Sequence, residues 1–450
     1  MRASNDTIAA IATASGRGGI GIIRISGPDT QQICEQLLGS QLPPRQACLK
    51  SFKQQDDSTI DNGLALFFKS PASYTGEDTL ELQGHGGPVV LDMLLKRVLS
   101  LGARLADPGE FTQRAFLNNK LDLAQAEAVA DIIDAGTTAA AMSAQRSLQG
   151  AFSARINELQ KQLTHLRLYV ESAIDFSDED IDFLGGDEVK KLIDALQKSF
   201  KILTDTAKQG SLLRDGMTVV LAGKPNAGKS SLLNALAQRD TAIVTAIAGT
   251  TRDVLKEQIQ IDGMPVHIID TAGLRETDNV IEQEGVKRAK QAMATADQVL
   301  LIVDDQESET NEHVPLLKDI PADIPVTIIC NKIDLTGQQP AVCIEGEQTI
   351  IKLSAKKEMG LNLLTQHLKN QMGFNPEEKN IFLARRRHLD ALARAHEFLQ
   401  SGIEQLLTYQ AGELFAEDLR LAQNALSEIT GKMTPDDLLG EIFSSFCIGK

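Results

Sequence analysis

Between Gly223 and Ser230 the chain reads Gly-Lys-Pro-Asn-Ala-Gly-Lys-Ser, a match to G-x-x-x-x-G-K-[ST]. Such a loop constrains the fold around it, because it works only as the turn between a buried strand and the start of a helix. Both flanks are present. Val219, Val220 and Leu221 make a short aliphatic run into the loop, and Ser230 to Ala237 (SSLLNALA) carries helix formers at helical spacing. Gly223 and Gly228 let successive N–H groups turn towards one anion, Lys229 adds a cation at the outer phosphates, and the helix contributes its positive end. Ser230 offers a hydroxyl to Mg²⁺. A chance match somewhere in a chain this long is on the order of a few per cent, and the flanks weaken the reading as a plain glycine turn further.

Three stretches downstream select the nucleotide. Asp270-Thr271-Ala272-Gly273 follows the run Val266 to Ile269, so Asp270 lies at a strand end, where a carboxylate can hold the metal's water shell while Gly273 admits backbone to the γ-phosphate. Asn331-Lys332-Ile333-Asp334 follows Val326 to Cys330 and sets a carboxylate to accept from the two N–H groups of guanine's Watson–Crick edge; adenine cannot supply both. Ser354-Ala355-Lys356, after Thr349 to Leu353, completes a base pocket. Singly, an NKxD tetrapeptide is commonly a turn and SAK is almost uninformative. In this order, each behind a strand of one parallel sheet, they describe a guanine-nucleotide domain, because ligands bind beyond the carboxyl ends of such strands.

The loop between the helix and the second strand reads Thr245-Ala246-Ile247-Ala248-Gly249-Thr250-Thr251-Arg252-Asp253. A threonine here, Thr251 by our reading, can close on Mg²⁺ when the γ-phosphate is present, which makes the segment a nucleotide-state switch. The GTP contacts expected therefore run over Asn226, Ala227, Gly228, Lys229, Ser230 and Ser231, then 245–251, 270–273, 331–334 and 354–356. After Gly273 comes Leu274, where many small GTPases carry the glutamine that orients the attacking water. Leucine cannot do so; assistance to hydrolysis has to come from another side chain, a partner or a bound monovalent cation.

The formal charge of −16 bounds what else the chain does. A protein that bound nucleic acid over its whole surface would be basic, so any RNA contact is local, transient or shared with a partner. No Trp and three Tyr argue against an aromatic base-stacking platform. The five cysteines (Cys34, Cys48, Cys330, Cys343, Cys447) form no CxxC or Cys/His cluster, which fits a reducing cytoplasm without structural zinc. No apolar run approaches the roughly 18 residues of a membrane span and no signal peptide is evident, so a soluble, cytoplasmic protein is expected. Length suggests about three domains at roughly 150 residues each.

Residues 1–118 read as a compact α/β stretch, with strands over Thr7 to Ala12, Ile20 to Ile25, Leu64 to Phe68 and Thr79 to Gln83, and an amphipathic helix from Pro88 to Leu101. Gly18-Gly19-Ile20-Gly21 fits neither nucleotide fingerprint, and Gly84-His85-Gly86-Gly87 reads as a turn before the helix, with no acid at telling spacing to make His85 catalytic. From Leu121 helix formers dominate. Leu148, Phe152, Ile156, Leu159, Leu163, Leu166, Val170 and Ile174 make one apolar stripe on a long helix, ended by the acidic run Asp178 to Asp182, a solvated loop. Helix resumes towards Gln209, with Gly210 and Gly216 bracketing the passage into the GTPase segment. Leu389 to Leu407 and Phe415 to Ile429 are amphipathic again. Neither helical half buries its own face, so the two are expected to pack together, with the GTPase domain inserted between them: helical halves at 119–215 and 376–450, GTPase domain at 216–375. Arg385-Arg386-Arg387-His388 reads as a solvated helix start rather than an RNA contact. The apolar Phe443-Ser444-Ser445-Phe446-Cys447-Ile448-Gly449-Lys450 is expected to be buried, with Cys447 a small core residue on residue chemistry alone.

GRGGIGIIRISG, TGEDTLELQGHGG, PGEFTQRAFLNNKLDLAQAEAVADII, GKPNAGKSS, AIAGTTRD, DTAGLRE and FCIGK together resemble the MnmE (TrmE) family of tRNA-modification GTPases over the whole chain. The resemblance implies a multidomain α/β plus all-α fold: an N-terminal α/β domain that binds tetrahydrofolate and dimerises, a discontinuous helical domain, and an inserted Ras-like P-loop GTPase domain. It implies a homodimer that joins the flavoprotein MnmG in a heterotetramer or larger complex. Together they add an aminomethyl or carboxymethylaminomethyl group to carbon 5 of the wobble uridine of certain tRNAs, using a folate one-carbon unit (methylene- or formyl-).

By the same resemblance, GTPase domains of two protomers meet across their nucleotide faces and K⁺ takes the role of an arginine finger, held by Asn226, Thr245, Ile247 through its carbonyl, and Thr250. Glu282 corresponds to the family residue that positions the water; with Lys229 and Thr251 it makes the expected catalytic set. Folate contacts carry over to Arg24, Glu81, Lys120 and Lys450, and Cys447 resembles a cysteine that acts in the modification step. A second reading keeps the GTPase but makes the chain a regulatory switch of ribosome-assembly type without folate chemistry; binding of a reduced folate separates the two.

Overall fold

Two β-sheets of opposite character organise the chain. The structure is a computed structural model, and it describes residues 6–175, 186–239, 256–270, 296–310, 324–346, 348–375, 381–432, 436–444 and 446–449. The chain divides into two units, one of Met1–Ala130, Ser147–Gln197 and Ala391–Lys450, the other of Asp131–Arg146 and Lys198–Asp390. The first unit thus unites the N-terminal stretch with most of the helical residues, and the short segment 131–146 is grouped with the phosphate loop.

In the first unit β1 (Ile8–Ile11), β2 (Gly18–Ser26), β3 (Cys48–Lys53), β4 (Thr59–Phe68), β5 (Thr79–Gly86) and β6 (Arg104–Leu105) form a sheet of order β3-β4-β5-β2-β1-β6. All its pairings are antiparallel except that of β1 with β6. Alternation decides which face each side chain takes. Ile23, Ile25, Leu80 and Leu82 pack with Ile33 and Leu37 of α1 (Thr30–Leu38) and Leu91, Leu94 and Val98 of α2 (Pro88–Ser100). Arg24 and Glu81, directly opposite in register, take the other face. The glycine stretches are strand: β2 starts at Gly18 and β5 runs to Gly86, with a register shift between Gly18 and Gly21. A Cβ on Gly86 would lie 2.7 Å from the carbonyl oxygens of Gly18 and Ile20, so glycine here permits close strand approach rather than a turn.

Helices α3 (Glu110–Leu117), α4 (Leu123–Asp134), α5 (Thr138–Leu148), α6 (Ala151–Asp175) and α7 (Asp187–Asp215) follow. The apolar stripe begins one helix later than its spacing suggests. Leu148 ends α5, and Gly150, at φ +86°, breaks the helix before Phe152. Gly210 is likewise interior to α7, where a Cβ would stand 1.9 Å from the Phe382 carbonyl oxygen. The acidic run 178–182 lies outside the described residues.

In the second unit β7 (Met217–Gly223), α8 (Lys229–Arg239), β8 (Lys256–Ile261), β9 (Met264–Asp270), β10 (Gln298–Asp304), β11 (Val326–Asn331), the single turn α9 (Ile333–Thr336), β12 (Ala341–Glu345), β13 (Gln348–Lys352) and α10 (Leu361–Met372) build a sheet of order β12-β13-β11-β10-β7-β9-β8. Its five inner strands are parallel and the two edges antiparallel. Both faces are covered: Val219 and Leu221 join one apolar cluster, Val220 and Ala222 another. This is why the strands read as unbroken aliphatic runs. Every inner strand ends at the same edge, so the loops after β7, β11 and β13 leave the sheet on one side.

The chain closes with α11 (Arg386–Tyr409), α12 (Gly412–Thr430) and α13 (Asp436–Ser444). Helices α6 and α12, far apart in sequence, are paired. Gln160 Nε2 donates to Ser427 Oγ at 2.9 Å, and Gln423 bridges Arg167 and Thr164 at 2.6 Å each. The start of α11 is not the solvated cluster expected. His388 is 2% exposed, and Arg385 shares Asp131 with Arg214, at 2.8 and 2.9 Å. No described helix is long and apolar enough to cross a membrane.

Candidate functional site

The loop after β7 is held open by two glycines that no other residue could replace without displacing backbone or its neighbour. At Gly223 (φ +145°) a Cβ would stand 2.3 Å from the Ile302 carbonyl oxygen, and at Gly228 (φ +102°) 2.1 Å from Asn331 Nδ2. Asn226 also adopts a left-handed φ of +62°. Lys229, 6% exposed, donates from Nζ to the carbonyls of Gly223 (3.0 Å) and Lys224 (2.9 Å), which folds its cation back across the loop mouth. Ser230 and Ser231 lie exposed on the first turn of α8.

Asn331 ties that loop to the other end of the cleft. Its Nδ2 donates to the Ala227 carbonyl at 3.0 Å and its Oδ1 accepts from the Ala355 amide at 3.0 Å, so one 2%-exposed side chain fixes both loops. Asp334 accepts from Ser354 Oγ at 2.5 Å, and Ser354 Oγ accepts in turn from the Lys357 amide. Ile333 and Ala355 are core residues that anchor their loops, while Lys356 is exposed. Lys332 occupies the left-handed region (φ +69°) and its ammonium pairs with Asp304 at 2.7 Å. Asp304, at the end of β10, is a member of this cluster that carries no motif. Burial and the nearby Asp305 charge push the Cys330 thiol up to about 11, so the residue preceding Asn331 stays neutral. The structure thus joins the loops after β7, β11 and β13 through Ala227, Asn331 and Ala355. Asp270 ends β9, opposite Leu221. Thr245, Ala246, Ile247, Ala248, Gly249, Thr250, Thr251, Thr271, Ala272, Gly273 and Glu282 lie outside the described residues.

The sheet of the first unit carries a separate cluster. Arg24 pairs with Glu81 at 2.9 Å across β2 and β5, with its guanidinium 5.6 Å from the Tyr74 ring centre and 5.8 Å from that of Phe111. Burial raises the Tyr74 phenol, which shares a hydrogen bond with Thr112. Lys120 donates to the Pro71 carbonyl at 3.0 Å, in the same loop as Tyr74. Gly449 reaches this face: its carbonyl lies 3.5 Å from Arg24 Nη1, and its φ of +95° sits where a Cβ would meet the Ile11 oxygen at 2.4 Å. Phe443 and Phe446 are buried with Phe116 and Leu123 packed against them, as the apolar tail required, but Cys447, which follows Phe446, is exposed and not a core residue. Lys450 lies outside the described residues.

Nearby, the buried pair Glu110 and Arg114 is joined by the exposed Arg104. Burial alone would raise the Glu110 carboxyl; hydrogen bonds from Arg104, the Asp107 amide and Arg114 overcome it and hold it below the carboxylate range. An acid that the sequence did not reveal also faces His85: Asp61 accepts from the His85 amide and meets its Nδ1, each at 2.7 Å. Among the described residues no group of three or more His, Cys, Asp or Glu is set to hold a metal.

Residues 7–120 match the family described as GTP-binding protein TrmE N-terminus, and residues 123–447 match the MnmE helical domain. The tRNA modification GTPase MnmE of Proteus mirabilis (strain HI4320) is 57% identical over 452 residues, covering 99% of this chain and all of its own. That of Hydrogenovibrio crunogenus (strain DSM 25203 / XCL-2) is 56% identical over 447 residues, 99% of each. With the loops after β7 and β13 held by one asparagine, and this identity along its length, the chain belongs to the MnmE family of tRNA modification GTPases.

Proposed function

We propose that GTP binds with its phosphates over 226–231 and its base between Asp334 and Ser354, and that closure of two GTPase domains drives hydrolysis for tRNA wobble-uridine modification. The observation that carries this is the double hydrogen bond of Asn331, which sets the spacing between the phosphate loop and the base loop before ligand arrives. Lys229 meets the outer phosphates, and Asp334 accepts from the guanine edge. Thr251, Asp270 and the residues of 245–250 and 271–273 close the remaining sides, and Glu282 positions the attacking water.

Ser230 and Asn226 bring exposed oxygen donors to the loop, a donor set that suits hard cations. Ser230 and Thr251 would hold Mg²⁺; Asn226, Thr245, Ile247 and Thr250 would hold K⁺. When bound, these ions spread the negative charge that develops between the β- and γ-phosphates. Leu274 leaves that work undone by side chains at its own position.

In the first unit, a carboxylate and a guanidinium beside the Tyr74 and Phe111 rings suit a flat heteroaromatic ring with an N–H edge, and a reduced folate fits that description. Arg24, Glu81, Lys120 and Lys450 would hold it, and it would supply the one-carbon unit. Cys447, exposed beside the segment that reaches Arg24, serves the modification step. We assign the first domain to 1–118, the helical halves to 119–215 and 376–450, and the inserted GTPase domain to 216–375. The protein works as a cytoplasmic homodimer with MnmG, which contributes the flavin chemistry, on tRNA.

GTP turnover measured in KCl and in NaCl at equal ionic strength tests the hydrolytic half; equal rates remove the K⁺ role. Calorimetric titration of the full chain with a reduced folate, with Arg24→Ala as control, tests the other half. No heat from the wild-type chain leaves a GTPase without folate chemistry.

A further inference from the structure

On a chain of net charge −16, one cleft of about 710 Å³ in the first unit is lined with cations and amides and with no carboxylate. It runs along α6, where Asn157, Lys161, Thr164 and His165 fall at helical spacing beside the buried stripe of Ile156, Leu159 and Leu163. From Asn157 to Leu168 that face is ~16 Å long. Across it stands Lys432, and its place is built rather than incidental. Gly431 caps α12 in the left-handed region (φ +81°), where a Cβ would lie 2.8 Å from the Phe116 ring and 2.9 Å from Leu123. The turn sends Lys432 to Asn157 Oδ1 at 3.1 Å, a neutral acceptor. Three acids of the two helices are paired outside the cleft, Glu171 with Arg167 on α6 and Glu428 with Arg394 and Glu417 with Arg420 on α12, and Glu158, exposed beside Asn157, is not part of its lining.

Three cationic or protonatable side chains among amide and hydroxyl groups match a polyanion that also offers hydrogen-bonding oxygens. We propose that this cleft grips the sugar–phosphate backbone of the tRNA substrate through Lys161, Lys432 and His165. The inference rests on the chain's membership of a tRNA modification family. It answers how so acidic a protein contacts RNA: through one local, carboxylate-free surface.

The full-length protein is titrated with an unmodified tRNA transcript by fluorescence anisotropy between about 50 and 200 mM salt. GTP turnover is measured on the same preparations. Lys161→Gln combined with Lys432→Gln weakens binding about tenfold at the lower salt and flattens the log–log salt slope by about 1.5, two phosphate contacts' worth. Leu168→Lys, a cation added at a 53%-exposed position on the cleft, tightens binding about threefold. GTP turnover is unchanged in both variants. Unchanged affinity and slope in the double variant, or a wild-type chain that does not bind tRNA, overturns the proposal. A loss seen with polyglutamate but not with tRNA overturns it in favour of an acidic protein partner. Wobble-uridine nucleosides that stay normal in cells lacking the gene would instead sink the modification role itself. If those nucleosides change and the double variant restores them with the wild-type KM for tRNA, only the cleft assignment fails.

Discussion

The parallel sheet of the second unit and the largely antiparallel sheet of the first place their polar clusters by different rules. In the parallel sheet the described loops leave the inner strands at the same edge, so residues at or just past strand ends come together: Gly223 ends β7, Asn331 ends β11, and Ser354 follows β13 by two residues. In the antiparallel sheet residues meet through register, in mid-strand, and the partners carry no local signature. Arg24 finds Glu81 because the pairing sets them opposite each other, and His85 finds Asp61 just past the last registered pair of β4 and β5, Leu64 with Gln83. Strand-end sites are therefore written as motifs, whereas cross-strand sites are written as pairs of unrelated positions.

The comparison sharpens into measurable differences. The largest effect is expected at Lys229: Lys229→Ala lowers GTP turnover about 10²- to 10³-fold, read by phosphate release, because the loop's other cation, Lys224, is paired with Glu307 at 3.4 Å. Retained turnover would dissociate the motif from the chemistry. Next, Asp334→Asn weakens GTP binding about 100-fold and favours a xanthosine nucleotide, since an amide donates where the carboxylate accepted. Competition binding with both nucleotides checks this, and unchanged preference breaks the base-side assignment.

In the antiparallel sheet the effects are smaller and pairwise. Arg24→Ala and Glu81→Ala, alone and together, give a coupling of about 1 kcal/mol in unfolding free energy, with the double variant less damaged than the sum. Additive losses would mean that the pair does not act as a unit. The smallest effect concerns His367 on α10, whose Nε2 meets Thr327 Oγ1 at 2.8 Å and whose pKa burial depresses below the ordinary 6.5. Its folded pKa lies below its unfolded value, so the unfolded chain binds the proton more readily. Its contribution is fully present above pH 6.5 and is lost as pH falls through that value towards the folded one. Thermal melts of His367→Gln should show a weaker loss of stability on acidification than the parent; parallel curves would discount the imidazole.

By itself the sequence determined the nucleotide face. Phosphate-loop glycines, the NKxD tetrapeptide, the SAK tripeptide and the aliphatic runs before them specify strand and turn within a few residues of one another, and in the structure Asn331 bonds both the Ala227 carbonyl and the Ala355 amide. Local signals also located most helices, but periodicity could not see the break at Gly150 or the reason for Gly210, because both depend on backbone conformation and on what lies opposite. Tertiary structure alone decided that Cys447 is exposed directly after the buried Phe446, that Arg385 and Arg214 converge on Asp131, and that His85 has an acid beside it. Each of those outcomes is a long-range contact, and a one-dimensional pattern records which side chains are apolar or charged without recording which distant ones the fold makes neighbours.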